Sequence, residues 1–393
     1  MGLVTFSADN NNLALYFHGR VDSSSAPQVE NETKEICSSN AGKTLIVDAD
    51  DLEYISSAGL RVILRLRKEN PDMKIINASS EVYEVFEMTG FTEMIPIEKG
   101  YRKLSVDGCE VIGQGANGKV YRLDPDTIVK VYFNPEALPD IHRERELARK
   151  AFVLGIPTAI PYDVVKVGDG YGSVFELLNA QSFAKLINKE PQNIDHYVEL
   201  SVELLKKIHS TEVKPDDMPD MKEVVIKWAA FLKDYIPEKY SDKLSKMVAD
   251  VPYDLHMMHG DYHIKNIMLQ NGESLLIDMD TLCHGHPVFE FASVFNAYRG
   301  FSEVDHSIVQ SFLGIDYDTA GHIWEKTLEL YLNTTDKKQI TEVSNKARIV
   351  GYTRLIRRSI RRGGLDIPSE KATIEHYIKE LLELLDTTDS LVF

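Results

Sequence analysis

The sequence predicts two folded parts: an α/β part with a small sheet and packed helices over residues 1–99, and a two-lobed α+β part over residues 100–393. In the first part, short apolar strands alternate with amphipathic helical segments, as in a sheet covered by helices. In the second part, strand patterns dominate residues 100–179, the predicted first lobe, and helical patterns dominate residues 180–393, the second lobe. A chain of 393 residues is long enough for two or three domains.

Composition excludes several classes of protein. The chain is 43% hydrophobic and 27% charged, as ordinary globular proteins are, and its net charge is −17. Because such a field repels nucleic acid and anionic membranes, we expect neither as a partner. The 3 cysteines are far apart, which is typical of free thiols in a reducing compartment. No apolar run reaches the about 20 residues of a membrane span, and the start lacks a signal-peptide pattern, so a cytoplasmic location is expected.

Strands and helices alternate in the first part. Serines precede the helical segments and can cap them. The predicted strands are Leu13–Phe17, Thr44–Asp48 and Lys74–Ala78, with Met94–Ile97 as the closing segment. The predicted helices begin near Ser25, Ser57 and Ser80 and end near Cys37, Arg67 and Gly90.

A glycine-rich segment follows a predicted strand over residues 105–112. Gly113, Gly115 and Gly118 have the spacing G-x-G-x-x-G, which several phosphate-binding folds share. A dinucleotide-binding fold needs a helix directly after the glycines. Here residues 120–123 have a strand pattern, and after a turn the next strand, residues 127–132, carries Lys130. A glycine-rich hairpin before a lysine-bearing strand indicates the nucleotide-covering lobe of a kinase, in which Lys130 would reach the α and β phosphates.

The next helix, predicted from about Pro139 to Leu154, should supply a carboxylate partner for Lys130. Both Glu144 and Glu146 qualify. The positions three, four and seven residues after Glu144 are apolar, whereas Glu146 is followed at those spacings by Arg149 and Lys150. We therefore prefer Glu144 and keep Glu146 as the alternative.

A strand over residues 171–178 leads into a loop and fits the hinge between two lobes. The backbone of Glu176 and Leu178 would there read the edge of an adenine, and Phe175 would lie beside the pocket. The alternative for Phe175 is a plain buried strand.

Four polar residues follow two short apolar segments that an Asn-Gly turn joins. These are Asp261, Asn266, Asp278 and Asp280. An Asp followed five residues later by Asn, with another Asp after the next strand, suits phosphoryl transfer from a nucleotide. One carboxylate orients or deprotonates the acceptor hydroxyl, while the amide and a second carboxylate hold magnesium on the phosphates. The pattern therefore predicts ATP and Mg²⁺ as cofactors.

Other polar clusters point less clearly to chemistry. The five histidines between residues 256 and 286, with Cys283, lack the close spacing of zinc sites. The arginine-rich run over residues 354–362 faces either phosphate or an acidic partner, but it is more typical of a solvated helix face. Residues 386–393 are predicted to be a frayed tail.

Two motifs in the first part carry a family resemblance. Residues 47–64, with Ile55-Ser56-Ser57-Ala58-Gly59 at their centre, resemble the signature of STAS domains, the anti-sigma-factor antagonist family, and residues 19–27 resemble that family's second conserved turn. The resemblance implies a protein partner and phosphorylation of Ser57 by a kinase. Ser56 stands where the family commonly has Asp. The alternative is that both serines only cap the helix.

The remaining residues, 100 to about 385, resemble the aminoglycoside-phosphotransferase and choline-kinase superfamily. The resemblance rests on the glycine motif, Lys130, and the motifs at residues 259–266, 277–280 and 285–292. It implies a protein-kinase-like fold in which Asp261 is the catalytic base, Asn266 and Asp278 bind magnesium, and Lys130 with Glu144 positions the phosphates. His286 and Glu290 stand where that family usually has Asp.

The expected function is ATP-dependent transfer of the γ-phosphoryl group to a hydroxyl of a small molecule, with a STAS domain that regulates the enzyme or binds a partner. His263 two residues after Asp261, and Ile-Asp-Met-Asp in place of Asp-Phe-Gly, separate the chain from Ser/Thr protein kinases. The alternative is a protein kinase that phosphorylates a STAS serine, either Ser57 of its own chain or a partner's.

Overall fold

The computed structural model describes residues 2–115 and 117–393. The chain divides into two compact units, Met1–Ser105 with Val164–Asp169, and Val106–Asp163 with Gly170–Phe393. Each unit has its own hydrophobic core. An α/β unit is therefore followed by an α+β unit rich in helices, which confirms the predicted fold classes. The predicted ranges 1–99, 100–179 and 180–393 stay predictions.

The first unit is a sheet with helices packed on it. Its strands are β1 (Val4–Ala8), β2 (Asn12–Phe17), β3 (Gly19–Val21), β4 (Thr44–Asp48), β5 (Leu52–Ile55), β6 (Lys74–Ala78), β7 (Ile97–Lys99) and β8 (Arg102–Lys103), and its helices are α1 (Ala26–Ser39), α2 (Ser57–Glu69), α3 (Ser80–Met88) and α4 (Phe91–Met94). The main sheet has the order β1-β2-β4-β6-β7. The first pair is antiparallel and the other neighbours are parallel.

The spacing of the apolar residues explains why these segments form strands and helices. Every second residue of β2 is buried, so Leu13, Leu15 and Phe17 point into the core. The first turn of helix α2 packs closely against its neighbours. A Cβ on Gly59 would lie 2.7 Å from the Ile55 side chain and 2.8 Å from the Val21 carbonyl oxygen. Only glycine fits at this packed helix start.

Several elements of the first unit were not expected from the sequence. The predicted closing segment Met94–Ile97 contains the end of a short helix, Phe91–Met94, which buries Phe91, and the start of β7 at Ile97. Strands β1 and β5 are additional. Strand β1 is an edge strand whose residues are mostly exposed, so its sequence lacks a clear apolar alternation.

The second unit begins with antiparallel strands and continues as helices. Its strands are β9 (Val111–Gln114), β10 (Gly118–Arg122), β11 (Thr127–Tyr132), β12 (Pro161–Val167, which ends in the first unit), β13 (Gly170–Glu176), β14 (Gln181–Ser182), β15 (Met257–Met258), β16 (Ile267–Gln270), β17 (Glu273–Leu276) and β18 (Cys283–His284). Its α-helices are α5 (Leu138–Val153), α6 (Phe183–Lys189), α7 (Ile194–His209), α8 (Met221–Leu232), α9 (Glu238–Ala249), α10 (Pro287–Tyr298), α11 (Ser307–Leu313), α12 (Tyr317–Leu332), α13 (Lys337–Arg361) and α14 (Pro368–Thr387).

Strand β11 lies between β10 and β13 in the sheet that carries the glycine-rich hairpin. The predicted strand over residues 105–112 is wrong in its bounds, because β9 begins only at Val111. In the helical part, every residue of α10 from Val288 to Tyr298 is buried, and α10 packs against α13. No described helix is long and apolar enough to cross a membrane.

The C-terminal residues are packed, so the predicted frayed tail is wrong. Leu391 is fully buried, the Lys346 ammonium donates to the Val392 carbonyl oxygen at 2.8 Å, and Asp389 pairs with Lys243 at 2.7 Å. The Phe393 ring lies 5.3 Å from the His286 ring, centroid to centroid. Three consecutive apolar residues at the end of an eight-residue tail, Leu391, Val392 and Phe393, give no periodic pattern, which explains why the sequence does not show this docking.

Replacing Leu391 by Ala should lower the free energy of unfolding of the second unit by about 2–4 kcal/mol, because it removes a fully buried side chain and leaves a cavity. Urea unfolding measured against the Val392→Ala protein is the control, since the Val392 side chain is 37% exposed and should change stability by less than about 0.5 kcal/mol. Equal stabilities of the two variants would contradict the packed tail.

Candidate active site

Lys130 occupies the centre of the candidate site. It lies on β11, opposite Val120 of β10 and Ser173 of β13, and its side chain is 16% exposed. The ammonium nitrogen is 3.0 Å from Glu144 Oε1 and 2.8 Å from Asp278 Oδ1. Burial lowers the pKa of Lys130, but the charges of Glu144 and Asp278 raise it more, so the net pKa lies above its usual value. Lys130 therefore keeps its charge at all relevant pH values.

Glu144 reaches Lys130 from helix α5. The apolar side of this helix, with Leu147 and Ala148, is buried and carries Glu144 inward. The Tyr132 hydroxyl also donates to Glu144, at 2.5 Å. Glu146 instead lies beside Arg149 and Lys150 on the outer side. The structure thus places Glu144, the residue preferred from the sequence, against the lysine.

The glycine-rich hairpin joins β9 and β10. Gly113 pairs with Val120, and the Gly115 amide donates to the Gly118 carbonyl oxygen at 3.0 Å. Gly118 is required, because a Cβ there would lie 2.3 Å from the Val131 carbonyl oxygen. A Cβ on Gly115 would meet nothing within 4 Å. Ala116, the middle of the motif, lies outside the described residues.

The segment between β15 and β16 holds Asp261 in the same unit. Asp261 Oδ2 lies 3.4 Å from His263 Nε2, and the Asn266 side-chain amide donates to the Asp261 carbonyl oxygen at 3.0 Å. Burial raises the pKa of Asp261, but the His263 hydrogen bond and the charges of His263, His259 and Arg354 outweigh it and lower the pKa to about 2. Asp261 is therefore a carboxylate at neutral pH, and 39% of its side chain is exposed.

Asp278 and Asp280 follow β17. Asp278 has a φ of 65°, a left-handed conformation that Asp tolerates better than most residues, and it turns its carboxylate toward Lys130. Burial, together with the negative charges of Asp278 and Glu144, raises the pKa of Asp280 to about 7. Asn117 of the glycine loop donates to Asp280 at 3.4 Å. The site therefore has an excess of negative charge beside Lys130.

Two buried side chains hold the loop that carries Asp261. The carboxylate of Glu290 in α10 is fully buried and accepts hydrogen bonds from the backbone amides of His259 and Gly260. Ser293 donates to the Gly260 carbonyl oxygen at 2.7 Å, and Arg354 donates to Ser293 at 3.1 Å. The interpretation of residues 354–362 as a solvated helix face is therefore wrong for Arg354. No local pattern in α13 distinguishes this residue, because its role depends on packing against α10.

The predicted hinge residues lie at the end of β13. Ser173 is opposite Lys130 and Glu176 is opposite Thr127, so Glu176 lies three residues, about 10 Å, further along the strand. The Glu176 amide donates to the Ile160 carbonyl oxygen at 3.2 Å, and both Glu176 and Leu178 are half-buried. Their use by an adenine stays a prediction.

In the first unit, Ser57 is the first residue of α2 and its side chain is exposed. Its neighbour Ser56 is the N-cap, with a hydroxyl oxygen that accepts from the Ala58 amide at 3.2 Å. The capping role considered for both serines thus falls to Ser56.

Comparison with known proteins identifies both parts of the chain. The model of the phosphotransferase enzyme family matches residues 108–321, more than half of the chain, and the STAS domain model matches residues 5–104. An anti-sigma-B factor antagonist of Listeria monocytogenes is 27% identical over 94 residues, which are 23% of this chain and 82% of that protein. The Listeria innocua protein of the same name gives the same values.

Two solved structures also align with this chain at low sequence identity. A choline/ethanolamine kinase family protein from Mesorhizobium loti is 14% identical with a TM-score of 0.45, over 71% of this chain and 88% of that one. A thermostable mutant of an aminoglycoside phosphotransferase, with ADP and hygromycin B, is 11% identical with a TM-score of 0.49, over 69% of this chain and 93% of that one.

By the family match over residues 108–321, the chain belongs to the phosphotransferase enzyme family, and it carries a STAS domain at residues 5–104.

Proposed function

We propose that the second unit transfers the γ-phosphoryl group of ATP, with Mg²⁺, to a hydroxyl group of a small molecule. The observation that supports this best is the arrangement of Lys130 between Glu144 and Asp278, in the same unit as Asp261 and Asn266. Phosphoryl transfer needs positioned cations and carboxylates more than covalent chemistry. These side chains supply both.

The nucleotide end of the site contains the lysine and the glycine hairpin. Lys130 offers its ammonium to the α and β phosphates, and the backbone amides of the hairpin offer further donors. The distance of about 10 Å from Lys130 to Glu176 along the sheet suits a nucleotide whose base lies at the end of β13. The open space above Gly115 leaves room for phosphates.

The residues present fit a magnesium ion. The Asn266 amide nitrogen is bound to the Asp261 carbonyl oxygen, so its amide oxygen is the end that is available to a cation. Asn266, Asp278 and Asp280 would supply oxygen ligands to the ion. Among residues 2–115 and 117–393, no group of three or more His, Cys, Asp or Glu side chains is placed to hold a metal ion. A partial set suits Mg²⁺, which shares its coordination with phosphate and water and neutralises charge on the phosphates when bound.

Asp261 is the residue that orients the acceptor. Its carboxylate accepts a hydrogen bond from the acceptor hydroxyl and takes the proton while the new O–P bond forms and the bond from the γ phosphorus to the bridging oxygen of ADP breaks. Because its pKa is low, Asp261 is a weak base, so positioning of the hydroxyl is its larger contribution.

A protein serine is the second candidate acceptor. The exposed hydroxyl of Ser57 at the start of α2 favours it, since added phosphate is stabilised at a helix N-terminus. Incubation with γ-labelled ATP separates the two candidates. Label on the wild-type chain but not on the Ser57→Ala chain would favour the protein acceptor.

Replacing Asp261 by Asn should reduce ATP turnover by about 10²- to 10⁴-fold, because the amide neither takes the proton nor carries the charge. Steady-state ATP consumption measures the loss, and titration calorimetry should show ATP binding within about twofold of wild type, since no phosphate contact is assigned to Asp261. The Asp242→Asn protein, changed at an exposed position of α9, is the matched control. Full turnover by Asp261→Asn would remove Asp261 from the reaction.

The raised pKa of Asp280 predicts a pH dependence of stability. Between its usual pKa of 3.8 and about 7, the folded protein holds a proton that the unfolded chain has released, so this contribution to stability falls as the pH rises through that window. Asp280→Asn removes the effect. The free energy of unfolding of Asp280→Asn relative to wild type should therefore increase by about 1–2 kcal/mol from about pH 5 to about pH 8.

Urea unfolding at both pH values, with and without Mg²⁺, measures this difference. Mg²⁺ at the higher pH should stabilise wild type more than the variant, because the ion neutralises the ionised Asp280. A difference between variant and wild type that stays constant with pH would contradict the charge excess at Asp280.

A further inference from the structure

An arginine lies beside the loop that carries Asp261. Arg354 of α13 is half-buried, and one of its terminal nitrogens lies 3.1 Å from Ser293 Oγ and 3.5 Å from the carbonyl oxygen of Gly260, the residue before Asp261. Its charge also helps to lower the pKa of Asp261. The guanidinium has five N–H donors, so these two contacts leave most of them available.

Arg354 belongs to an arginine stripe that we define as Arg354, Arg357, Arg358 and Arg361. The spacings of three, four and seven residues place these side chains on one side of α13. Within the described part of the chain, none of the four has a carboxylate oxygen within 4.0 Å. The net charge of −17 makes this unpaired cluster unusual, because acidic partners are plentiful elsewhere on the surface.

Like charges crowd one another along the stripe. Burial lowers the pKa of Arg357, and the charge of Arg361 lowers it further. Repulsion of this kind costs stability unless an anion relieves it. The stripe therefore has the electrostatic character of an anion-binding surface.

Aromatic rings of α8 line the same surface. The Arg354 guanidinium carbon lies 5.7 Å from the centre of the Trp228 ring, and the Arg357 carbon lies 5.9 Å from the centre of the Phe231 ring. A ring within about 6 Å stabilises the charge of a guanidinium group, and the planar N–H edge of arginine suits bidentate hydrogen bonds. A carboxylate or phosphate matches that edge in shape and charge.

Positive charge also borders the loop at Lys265, four residues after Asp261. Lys265 lines a cavity of about 530 Å³ together with Lys185, Lys189 and Phe312. Among residues 2–115 and 117–393, none of these lysines has a carboxylate partner within 4.0 Å. The Phe312 ring packs 5.0 Å from the ring of His263, which contacts Asp261. The surroundings of the loop thus favour an anion on two sides.

We propose that the acceptor is an anionic hydroxyl compound, a small molecule with a phosphate or carboxylate a few bonds from the hydroxyl, and that Arg354 binds this anionic group. The inference rests on the proposed phosphotransferase function and deepens it. The Arg354 charge would repel an amine-bearing acceptor, and it holds the anion close enough for the hydroxyl to reach Asp261. Phosphate and carboxylate share this chemistry.

A labelling experiment tests the charge of the acceptor. The full chain is incubated with Mg²⁺, γ-labelled ATP and a cell metabolite extract that has been separated by ion exchange into cationic, neutral and anionic fractions. We expect labelled product from the anionic fraction, and chromatography of the acceptor distinguishes phosphate from carboxylate. Label from the neutral or cationic fraction alone, on the protein itself, or from no fraction would overturn the inference.

Failure of the inference and failure of the proposed function have different signatures. ATP hydrolysis in the absence of acceptor, compared between wild type and Asp261→Asn, reports on the phosphotransferase centre alone. If wild type shows no hydrolysis that depends on Asp261, the proposed function fails. If that hydrolysis is present but the anionic fraction is not labelled, only the acceptor assignment fails.

Variants of Arg354 test its role with the accepted compound. Arg354→Gln should raise the acceptor KM about 10- to 100-fold, the size expected for loss of a charge-assisted hydrogen bond. Arg354→Lys should recover part of that loss, because it restores the charge without the planar fork. Arg362→Gln, at an exposed position beyond the stripe, is the control and should behave as wild type.

The effects of Arg354→Gln on the acceptor KM and on kcat distinguish acceptor binding by Arg354 from a structural role. If Arg354 only holds Ser293 and Gly260 in place, Arg354→Gln should lower kcat for transfer and for ATP hydrolysis alike and leave the acceptor KM unchanged. If Arg354 binds the acceptor, Arg354→Gln should have a higher acceptor KM, and the rate of transfer should therefore fall relative to the rate of ATP hydrolysis. An unchanged KM in Arg354→Gln would contradict the assignment.

Discussion

The Lys130 ammonium lies between the carboxylates of Glu144 and Asp278, and this arrangement joins three distant segments of the second unit. Strand β11 supplies the cation, helix α5 supplies one anion, and the turn after β17 supplies the other. A half-buried charge is stable only when such partners compensate for lost water. The glycine hairpin, α5 and the loop around Asp278 therefore depend on one another for their positions.

Negative and positive side chains occupy different parts of the candidate site. Beside Lys130, the carboxylates outnumber the cation, and burial together with these negative charges raises the pKa of Asp280. That excess favours a divalent cation. The charge of Arg354, whose terminal nitrogen lies 3.5 Å from the Gly260 carbonyl oxygen, instead helps His263 and His259 to lower the pKa of Asp261.

The sequence predicted the parts of the site that follow from local pattern. Lys130 lies on an apolar strand after a glycine motif, and the spacing from Asp261 to Asn266 is kept within one loop. The preference for Glu144 over Glu146 followed from the apolar face of a single helix. In each case the side chain points in a direction that its own helix or strand determines.

The residues that the sequence did not reveal depend on contacts between distant segments. Arg354 reaches Gly260 only because α13 packs against α10, and Leu391 is buried only because the tail returns to the helical part. The short helix at Phe91–Met94, which the sequence did not predict, buries Phe91. Tertiary packing of this kind leaves no periodic trace in the residues themselves.

Titration calorimetry of ATP in the presence of Mg²⁺, on wild type and on Lys130→Ala, measures the contribution of Lys130 to nucleotide binding. Wild type should bind, and Lys130→Ala should bind about 10- to 100-fold more weakly, because the phosphates lose a charge-assisted hydrogen bond and Glu144 and Asp278 lose the cation that compensates them. Lys246→Ala, at an exposed position of α9, should match wild type. Equal affinity of Lys130→Ala and wild type would contradict the account.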